Sequence, residues 1–234
     1  MFSNKIYLKD KELVAKNTLK LIFAKPFNFD FLAGQYVRIG IEPNNEQLSR
    51  FLTIASAPRD QNLEFITRLS DSDFKRRISK LKIGDEVYIS NAIGNLILDN
   101  SNDSVVFLCG GIGITPFRSI LRQASYSKSS RKFIIFYSNH SVERTVDLIE
   151  LKNLPLFNYK LIFTFTAEVE SDKFAENGFI NKVMLLKYLP ELARYKYYIA
   201  GTDYFVKAMV DLLEASNIPN NQIRKETFIG YKDA

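Results

Sequence analysis

The sequence predicts two domains, an N-terminal antiparallel β-barrel followed by an α/β domain with a Rossmann-like parallel sheet. Residues 1–100 alternate short β-rich segments with turn residues, whereas apolar segments alternate with helical ones from residue 101 onward. Strands that are apolar throughout are typical of parallel sheets covered on both faces. We therefore expect one domain over residues 1–100 and a second over residues 101–234, with polar residues 100–103 between them.

Five short strands are predicted in the first domain, separated by turn signals such as Lys25-Pro26 and Gly84-Asp85. They cover residues 19–23, 35–41, 51–55, 63–67 and 86–91. Short strands with regular turns are typical of a small barrel or sandwich. One helix is expected over residues 73–81, capped by Ser72, because Phe74, Ile78 and Leu81 recur at helical spacing.

The second domain shows the alternation that a parallel α/β sheet requires. Its predicted strands cover residues 104–108, 133–137, 160–166, 197–200 and 226–229. Its predicted helices run from the turn after the first strand to about residue 124, near 142–151, near 180–189 and over 203–216.

Composition excludes several classes of protein. With 46% hydrophobic and 25% charged residues, the 234-residue chain is not globally disordered. The net charge of +6 is spread evenly, with 15 basic and 12 acidic residues in 1–100 and 17 and 14 in 101–234, so no nucleic-acid-binding arm is expected. A single cysteine and the absence of a signal or membrane-spanning segment lead us to expect a cytoplasmic protein without membrane insertion.

The scarcity of cysteine and histidine also limits the chemistry. One Cys and one His cannot form a structural zinc site, so no metal is expected. A Ser-His-Asp hydrolase is disfavoured, because His140 would have to be the base and no nucleophile elbow is present.

A glycine turn follows the first strand of the second domain and opens its first helix. Backbone N–H groups in such a turn can approach a phosphate closely, and the helix dipole favours the negative charge. A tight structural turn is the alternative, but the position between strand and helix favours a nucleotide site. The candidate residues are Gly110, Gly111, Gly113, Ile114, Thr115 and Pro116.

The end of the second strand bears on the choice of nucleotide. Ser138 and Asn139 stand where an acidic residue would bind the ribose of NAD, and Arg144 follows shortly after. Polar groups with a nearby arginine are compatible with a 2′-phosphate and hence with NADP(H). A solvent-exposed helix charge is an equally good interpretation of Arg144, so NAD(H) stays open.

Five motifs and the glycine turn, in the order in which they occur along the chain, resemble the ferredoxin–NADP reductase family of flavoenzymes. One of the five is Arg50-Phe51-Leu52-Thr53, which is similar to the family's R-x-Y-S/T strand. The others are Ala33-Gly34-Gln35-Tyr36-Val37, the segment from Gly84 to Leu96, Ile199-Ala200-Gly201-Thr202 and Glu226-Thr227-Phe228-Ile229-Gly230-Tyr231. The resemblance covers nearly the whole chain and implies an FAD-binding barrel and a nicotinamide-nucleotide domain.

The resemblance also implies roles for individual residues. Thr53, Thr115 and Phe228 would be catalytic, and Phe228 or Tyr231 would cover one flavin face. The forked guanidinium of Arg50 suits a pyrophosphate, and the helix N-terminus after Ser72 suits a second phosphate. The implied FAD residues are Arg50, Phe51, Leu52, Thr53, Ile66, Thr67, Arg68, Ser72, Asp73, Phe74 and Lys75. The implied nicotinamide-nucleotide residues add Gly201, Thr202 and Asp203 to the glycine turn and to Ser138, Asn139 and Arg144.

Three positions depart from the family pattern. Leu52 stands where the family usually has Tyr, Thr202 where it has Pro, and Ala200 where it often has Cys. The first departure removes an aromatic or hydroxyl contact to the flavin and makes its affinity and potential uncertain.

The leading functional hypothesis is an FAD-dependent NAD(P)H oxidoreductase that passes electrons to a separate carrier such as ferredoxin or flavodoxin. We expect the carrier to be separate because the chain lacks cysteine ligands for an iron–sulfur cluster and the length of a fused flavodoxin. The basic net charge suits an acidic carrier. Two alternatives stay open: a reductase of a small acceptor such as a ferric chelate or free flavin, and an FAD-binding electron-transfer subunit of a larger complex. The oligomeric state is not predicted.

Overall fold

A computed structural model describes residues 2–167 and 175–228 of the chain. Its first sheet is antiparallel, with strand order β4-β3-β6-β1-β2-β5. The strands are β1 (Asn4–Ala15), β2 (Thr18–Ala24), β3 (Tyr36–Gly40), β4 (Ser49–Thr53), β5 (Asn62–Arg68) and β6 (Glu86–Ile89). The two outer strands meet where Ile54 bridges Phe65 and the Ala55 N–H donates to the Glu64 carbonyl at 2.8 Å. The sheet therefore closes on itself, which confirms the predicted barrel.

The longest strand of the barrel, β1, was not predicted from the sequence. It lies in the middle of the sheet, paired with β2 and β6. Charged residues occupy most of its exposed positions, and only Ile6 and Leu8 are buried along it. With so few apolar residues, the period-2 pattern that marks a half-buried strand is too short to recognise in the sequence.

The helix α1 (Asp73–Lys80) confirms the predicted helix and its cap. The Ser72 hydroxyl accepts the Lys75 N–H at 3.4 Å, and Phe74 and Ile78 are buried in the barrel core. At the other end, the Lys11 ammonium donates to the carbonyls of Ser79 and Leu81, each at 2.7 Å. Both ends of α1 are thus satisfied, which holds its N-terminus in place against β5.

The second sheet is parallel, with strand order β10-β9-β8-β7-β11-β12. Its strands are β7 (Val105–Gly110), β8 (Phe133–Asn139), β9 (Tyr159–Phe165), β10 (Ala175–Asn177), β11 (Lys196–Thr202) and β12 (Ile223–Phe228). The strands β8, β9 and β10 follow one another on one side of β7, and β11 and β12 then lie on its other side. The predicted Rossmann-like sheet is confirmed, and the reversal of strand order lies between β7 and β11. The short strand β10 was not predicted.

The helices follow the predicted alternation with one correction. They are α2 (Ile114–Tyr126), α3 (Leu148–Lys152), α4 (Lys182–Tyr188) and α5 (Asp203–Glu214). The single helix expected near residues 142–151 is wrong: a 3-10 turn over Val142–Arg144 is separated from α3 by Asp147, whose φ is +50°. Val146 is buried there and its N–H donates to the Tyr137 hydroxyl, which takes that N–H out of any helical bonding. Within the described residues, no helix combines the length and apolarity needed to cross a membrane.

The chain divides into two compact units. The first comprises the barrel up to Leu98 together with Thr115–Ser127, which is nearly all of α2, and the second comprises Asp99–Ile114 and the described residues from Lys128 onward. The core of the first lies inside the barrel, and a core of the second lies between the parallel sheet and helices α4 and α5. The division into domains near residue 101 stays a prediction.

Asp99 and its neighbours hold the start of the second unit. Its carboxylate accepts from Arg131 at 2.8 Å and from Lys196 at 2.7 Å, and Arg131 also donates to the Asp103 carbonyl at 2.7 Å. Partial burial opposes ionisation, but hydrogen bonds from Lys196, Arg131 and Ser101 outweigh it and lower the pKa of Asp99. This network lies at the amino end of β7, opposite the glycine turn.

We predict that Gly34→Ala destabilises the barrel much more than Gly84→Ala. Both glycines have positive φ, +101° and +92°, so both substitutions carry backbone strain of about 1–2 kcal/mol. A Cβ at Gly34 would lie 2.1 Å from the Leu96 carbonyl oxygen, whereas nothing lies within 4 Å of one at Gly84. Urea denaturation should show an additional loss of about 2 kcal/mol for Gly34→Ala, and equal losses would contradict the close approach.

Candidate functional site

A pair of positively charged side chains, Arg50 and Lys75, lies beside the N-terminus of α1. We call these two residues the cation pair. The Arg50 guanidinium lies 5.5 Å and the Lys75 ammonium 5.6 Å from the centroid of the Phe74 ring. The Lys75 ammonium donates to the hydroxyl of Thr67, which is fully buried on β5. The structure thus brings together four of the residues that the resemblance implies for FAD: Arg50, Thr67, Phe74 and Lys75.

The electrostatics of the cation pair favour an anion. Burial, together with the nearby charge of Arg50, lowers the pKa of Lys75 to about 8. The N-terminus of α1, capped by Ser72, adds the positive end of a helix dipole at the same place. Two like charges at a helix N-terminus repel each other, and a phosphate or diphosphate would relieve that repulsion.

Arg50 is oriented by the chain that precedes it. Its guanidinium donates to the carbonyls of Gln47 and Ser49, both at 2.8 Å. Arg50 is therefore held by backbone acceptors, and its donors lie in a fixed direction relative to β4.

The remaining barrel candidates occupy different environments. Leu52 lies in the barrel core and Thr53 is buried at the end of β4, whereas the Phe51 side chain is half exposed. The Phe51 ring packs edge-to-face on Tyr36, with centroids 5.6 Å apart. Tyr36 was not proposed as a site residue, although it belongs to one of the quoted motifs. Phe51 on β4 and Tyr36 on the neighbouring strand β3 thus form a partly exposed aromatic pair.

Three further candidates lie along β5 and α1. Ile66 is buried, Arg68 ends β5 and Asp73 begins α1, where its exposed carboxylate pairs with Arg76. Of these, Arg68 and Asp73 are at least partly accessible to solvent.

The glycine turn, residues 110–116, joins β7 to α2 through a 3-10 turn over Gly111–Gly113. Gly113 is buried, and a Cβ there would lie 2.1 Å from the Ala200 carbonyl oxygen of β11. Only glycine permits this approach of backbone to backbone. Pro116 lies in the first turn of α2, where its missing N–H is tolerated. The turn therefore lies at the carboxyl edge of the sheet, at the reversal of strand order, where α/β sheets bind ligands.

The neighbouring strand ends bring the other nucleotide candidates to the same sheet edge. Gly201 and Gly110 both face the Phe205 ring, which a Cβ on either would approach to 2.8 and 2.9 Å. Thr202 caps α5 by accepting the Phe205 N–H at 3.4 Å, and Asp203 is the first residue of that helix.

The side-chain amide of Asn139, at the end of β8, is buried without a hydrogen-bond partner among the described residues. This holds for both its amide nitrogen and its amide oxygen. A buried amide without partners costs free energy, so a polar ligand group or a water molecule is expected there. Ser138 beside it is buried as well, whereas Arg144 lies exposed on the 3-10 turn that follows.

The C-terminal motif is described only in part. Phe228 ends β12 in register with Thr202 and is partly buried. Tyr231 lies outside the described residues. Glu226, paired with Ala200 in the sheet, was quoted in the motif but not proposed as a site residue. Burial raises its pKa to about 7, which puts a titratable carboxyl at the same sheet edge.

Arg118 and Glu64 were also not singled out from the sequence. Both lie in the first unit, where the Arg118 guanidinium is 2.7 Å from the Glu64 carboxylate. The available signal was the spacing of Arg118 and Arg122, four residues apart on one face of α2. A charged helix face is usually exposed to solvent, which is why the sequence did not predict its burial.

Comparisons with known proteins agree with this geometry. Residues 107–211 match the family model described as "Oxidoreductase NAD-binding domain". The reductase component of propane 2-monooxygenase from Mycolicibacterium smegmatis is 24% identical over 229 residues, which cover 94% of this chain and 64% of that relative. The chain is thus similar to an oxidoreductase NAD-binding domain over residues 107–211 and to a reductase component over most of its length.

Solved structures share the fold of this chain. The FAD/NAD-binding domain of a nitric oxide dioxygenase from Vibrio cholerae has a TM-score of 0.85 at 18% identity, covering 97% of this chain and 99% of that one. A ferredoxin–NADP⁺ reductase from Neisseria gonorrhoeae, determined with bound FAD and NADP, has a TM-score of 0.83 at 21% identity, covering 96% and 98%. The two-domain fold is thus common to both. The chain spans about three fifths of the length of the curated relatives it matches first.

We predict that Glu226 makes folding stability depend on pH. Its pKa in the folded protein, about 7, exceeds the ordinary value of 4.5, so the unfolded chain releases this proton first as the pH rises. Stability should therefore fall between about pH 4.5 and pH 7, by on the order of 2 kcal/mol.

Glu226→Gln should remove that loss, and Glu214→Gln on the exposed end of α5 is the control. Urea denaturation at pH 4.5, 6 and 8 measures the effect, and parallel stability curves for wild type and Glu226→Gln would refute it.

Proposed function

We propose that this chain is an FAD-dependent NAD(P)H oxidoreductase that delivers electrons to a separate carrier protein. The observation that supports this best is the presence of two distinct phosphate-type sites. One is the cation pair at the N-terminus of α1, and the other is the glycine turn at the reversal of strand order in the parallel sheet.

The residues present suit an FAD on the barrel. Arg50 offers a forked donor, and Lys75 and the N-terminus of α1 offer a further charge and backbone N–H groups. Thr67 orients the Lys75 ammonium. The Phe51–Tyr36 pair provides an accessible aromatic surface on the same sheet. The bound FAD of the gonococcal reductase supports the choice of this cofactor.

The second unit suits a nicotinamide nucleotide. Gly113 lets the turn approach β11, and the positive end of the α2 dipole favours a diphosphate. The buried, unpartnered amide of Asn139 offers two donors and an acceptor for ribose hydroxyl or phosphate groups. Arg144 would add charge toward a 2′-phosphate, which is compatible with NADP(H), and NAD(H) stays open as the alternative.

The role of the protein is to bind and orient rather than to move protons. Bound FAD would supply the redox chemistry, accepting a hydride from the nicotinamide and releasing electrons to the acceptor. Thr53 and Thr115, both buried in the first unit, would line that chemistry, and Phe228 would cover the flavin. Glu226 is the one partly buried carboxyl at the sheet edge whose pKa lies near neutrality among the described residues.

The electron acceptor we propose is an acidic one-electron carrier such as ferredoxin or flavodoxin. The relative from Mycolicibacterium smegmatis is named as the reductase component of a monooxygenase, which favours a protein partner over a small acceptor. The net charge of +6 would speed encounter with an acidic partner. We propose a cytoplasmic location, since the single cysteine suits a reducing compartment.

The proposed function predicts that the purified protein binds FAD and that NADPH or NADH bleaches the visible flavin absorbance without oxygen. With the reduced protein, an acidic ferredoxin or flavodoxin should be reduced faster than a ferric chelate or free flavin. The carrier rate should fall as salt is raised, because screening weakens charge steering. Absence of FAD binding or of bleaching would refute the proposal, and faster reduction of the small acceptors would refute its carrier.

We predict that Lys75 contributes to FAD affinity in its charged form. Because its pKa is about 8 without the anion, affinity should be greatest below pH 8 and should decline above it. Lys75→Gln should weaken FAD binding about tenfold at pH 7, the loss of one charge-assisted hydrogen bond, and should remove the decline.

Lys80→Gln, at the exposed end of the same helix, is the matched control. Flavin fluorescence titrations of the apoprotein at pH 7 and pH 9 measure both effects. Equal affinities for the Lys75 and Lys80 variants would contradict the assignment.

A further inference from the structure

One face of α2 is bonded to residues 55–60, the segment that continues from β4. Arg118 donates to the Ala55 carbonyl at 2.7 Å, and the Ser119 hydroxyl donates to the Ser56 carbonyl at 2.6 Å. One and two turns later, Arg122 pairs with Asp60 at 3.2 Å and the Tyr126 hydroxyl donates to the Asp60 carboxylate at 2.7 Å. The contacts therefore continue along nearly the whole helix.

Arg118 is the most deeply buried member of this set. Its side chain is 2% exposed, and its guanidinium reaches the Glu64 carboxylate at 2.7 Å as well as the Ala55 carbonyl. Burial acts to raise the pKa of Glu64, but the charges of Arg118 and Arg122 outweigh it and lower that pKa. Glu64 is thus ionised and paired, and loss of Arg118 would leave the Glu64 carboxylate with the longer pairing to Arg122, at 3.4 Å.

The elements that Arg118 connects carry two of the residues proposed to line the chemistry, Thr53 and Thr115. Ala55 lies two residues after Thr53, and Arg118 lies three residues, about one helical turn, after Thr115. Thr115 itself belongs to the glycine turn, residues 110–116. A single guanidinium therefore joins the first turn of α2 to the end of the β4 segment.

We propose that Arg118 is a positioning residue that holds Thr115 in register with Thr53. The inference rests on the proposed function and deepens it by naming what sets the geometry of the reacting groups. Hydride transfer between two bound cofactors requires close and well-oriented approach, and a displacement of about 1 Å can cost as much as a hundredfold in rate. Arg118 itself touches the protein backbone and Glu64 and acts only through the elements it joins.

Arg118→Lys tests this role, because lysine keeps the charge and loses the fork. Arg131→Lys is the matched control: Arg131 is 5% exposed and also bonds carbonyls and a carboxylate, but at the amino end of β7. The first readout is amide hydrogen exchange in the apoprotein. The Ala55 and Ala57 N–H groups, bonded to the Glu64 carbonyl and the Asp60 carboxylate, should exchange about tenfold faster in Arg118→Lys only.

The second readout is the rate of flavin reduction in the FAD-loaded protein at saturating NADPH or NADH. Arg118→Lys should lower this rate at least about tenfold, while the dissociation constants for FAD and the nucleotide change less than about threefold. If Arg118→Lys does not fold, Ser119→Ala, which removes only the bond to Ser56, should slow reduction about threefold.

The outcomes separate the two proposals. A rate for the Arg118 or Ser119 variant equal to that of Arg131→Lys, or unchanged exchange at Ala55 and Ala57, would overturn the positioning role. If wild-type protein loaded with FAD is reduced by neither nucleotide, the proposed function fails, and the exchange measurement still decides whether Arg118 holds the segment.

Discussion

The close approach of Gly113 to the Ala200 carbonyl sets where the second unit can bind a ligand. A side chain at residue 113 would collide with β11, so the chain can turn from β7 into α2 at this point only through glycine. That turn lies at the reversal of strand order between β7 and β11, the position at which α/β sheets bind ligands. Asn139, Gly201 and Glu226 come to the same sheet edge because parallel strands end together.

In the barrel, the candidate phosphate site depends on positive charge rather than on a glycine that lacks a side chain. Burial of the Lys75 ammonium, together with the nearby charge of Arg50, lowers the pKa of Lys75 to about 8. Two like charges held together at a helix N-terminus lower the folding stability of the barrel, and a bound anion would offset that cost. The buried amide of Asn139, which has no hydrogen-bond partner among the described residues, carries a similar cost in the second unit.

Much of the fold was accessible from the sequence, and the exceptions have physical reasons. The sequence predicts apolar strands such as β7 and β8 because burial restricts their residue types. It predicts the helix α1 because capping does the same. The strand β1 was not predicted because most of its side chains are exposed to solvent. The single helix predicted near residues 142–151 does not form because the Val146 N–H donates to the Tyr137 hydroxyl instead.

For the site, motif order identified the cation pair and the glycine turn, since their chemistry depends on local sequence. The bond from Arg118 to Ala55 and the raised pKa of Glu226 depend on burial that arises only when distant segments pack together. The core position of Leu52 and the pairing of Phe51 with Tyr36 likewise follow from strand register.

A crystal structure of the protein grown with FAD and NADP⁺ tests most directly the claim that two dinucleotide sites lie on this one chain. We expect the FAD diphosphate to contact Arg50, Lys75 and the N-terminus of α1, and the diphosphate of NADP⁺ to contact residues 110–116. A diphosphate bound elsewhere on the barrel, or a nucleotide that leaves the glycine turn without contacts, would contradict it.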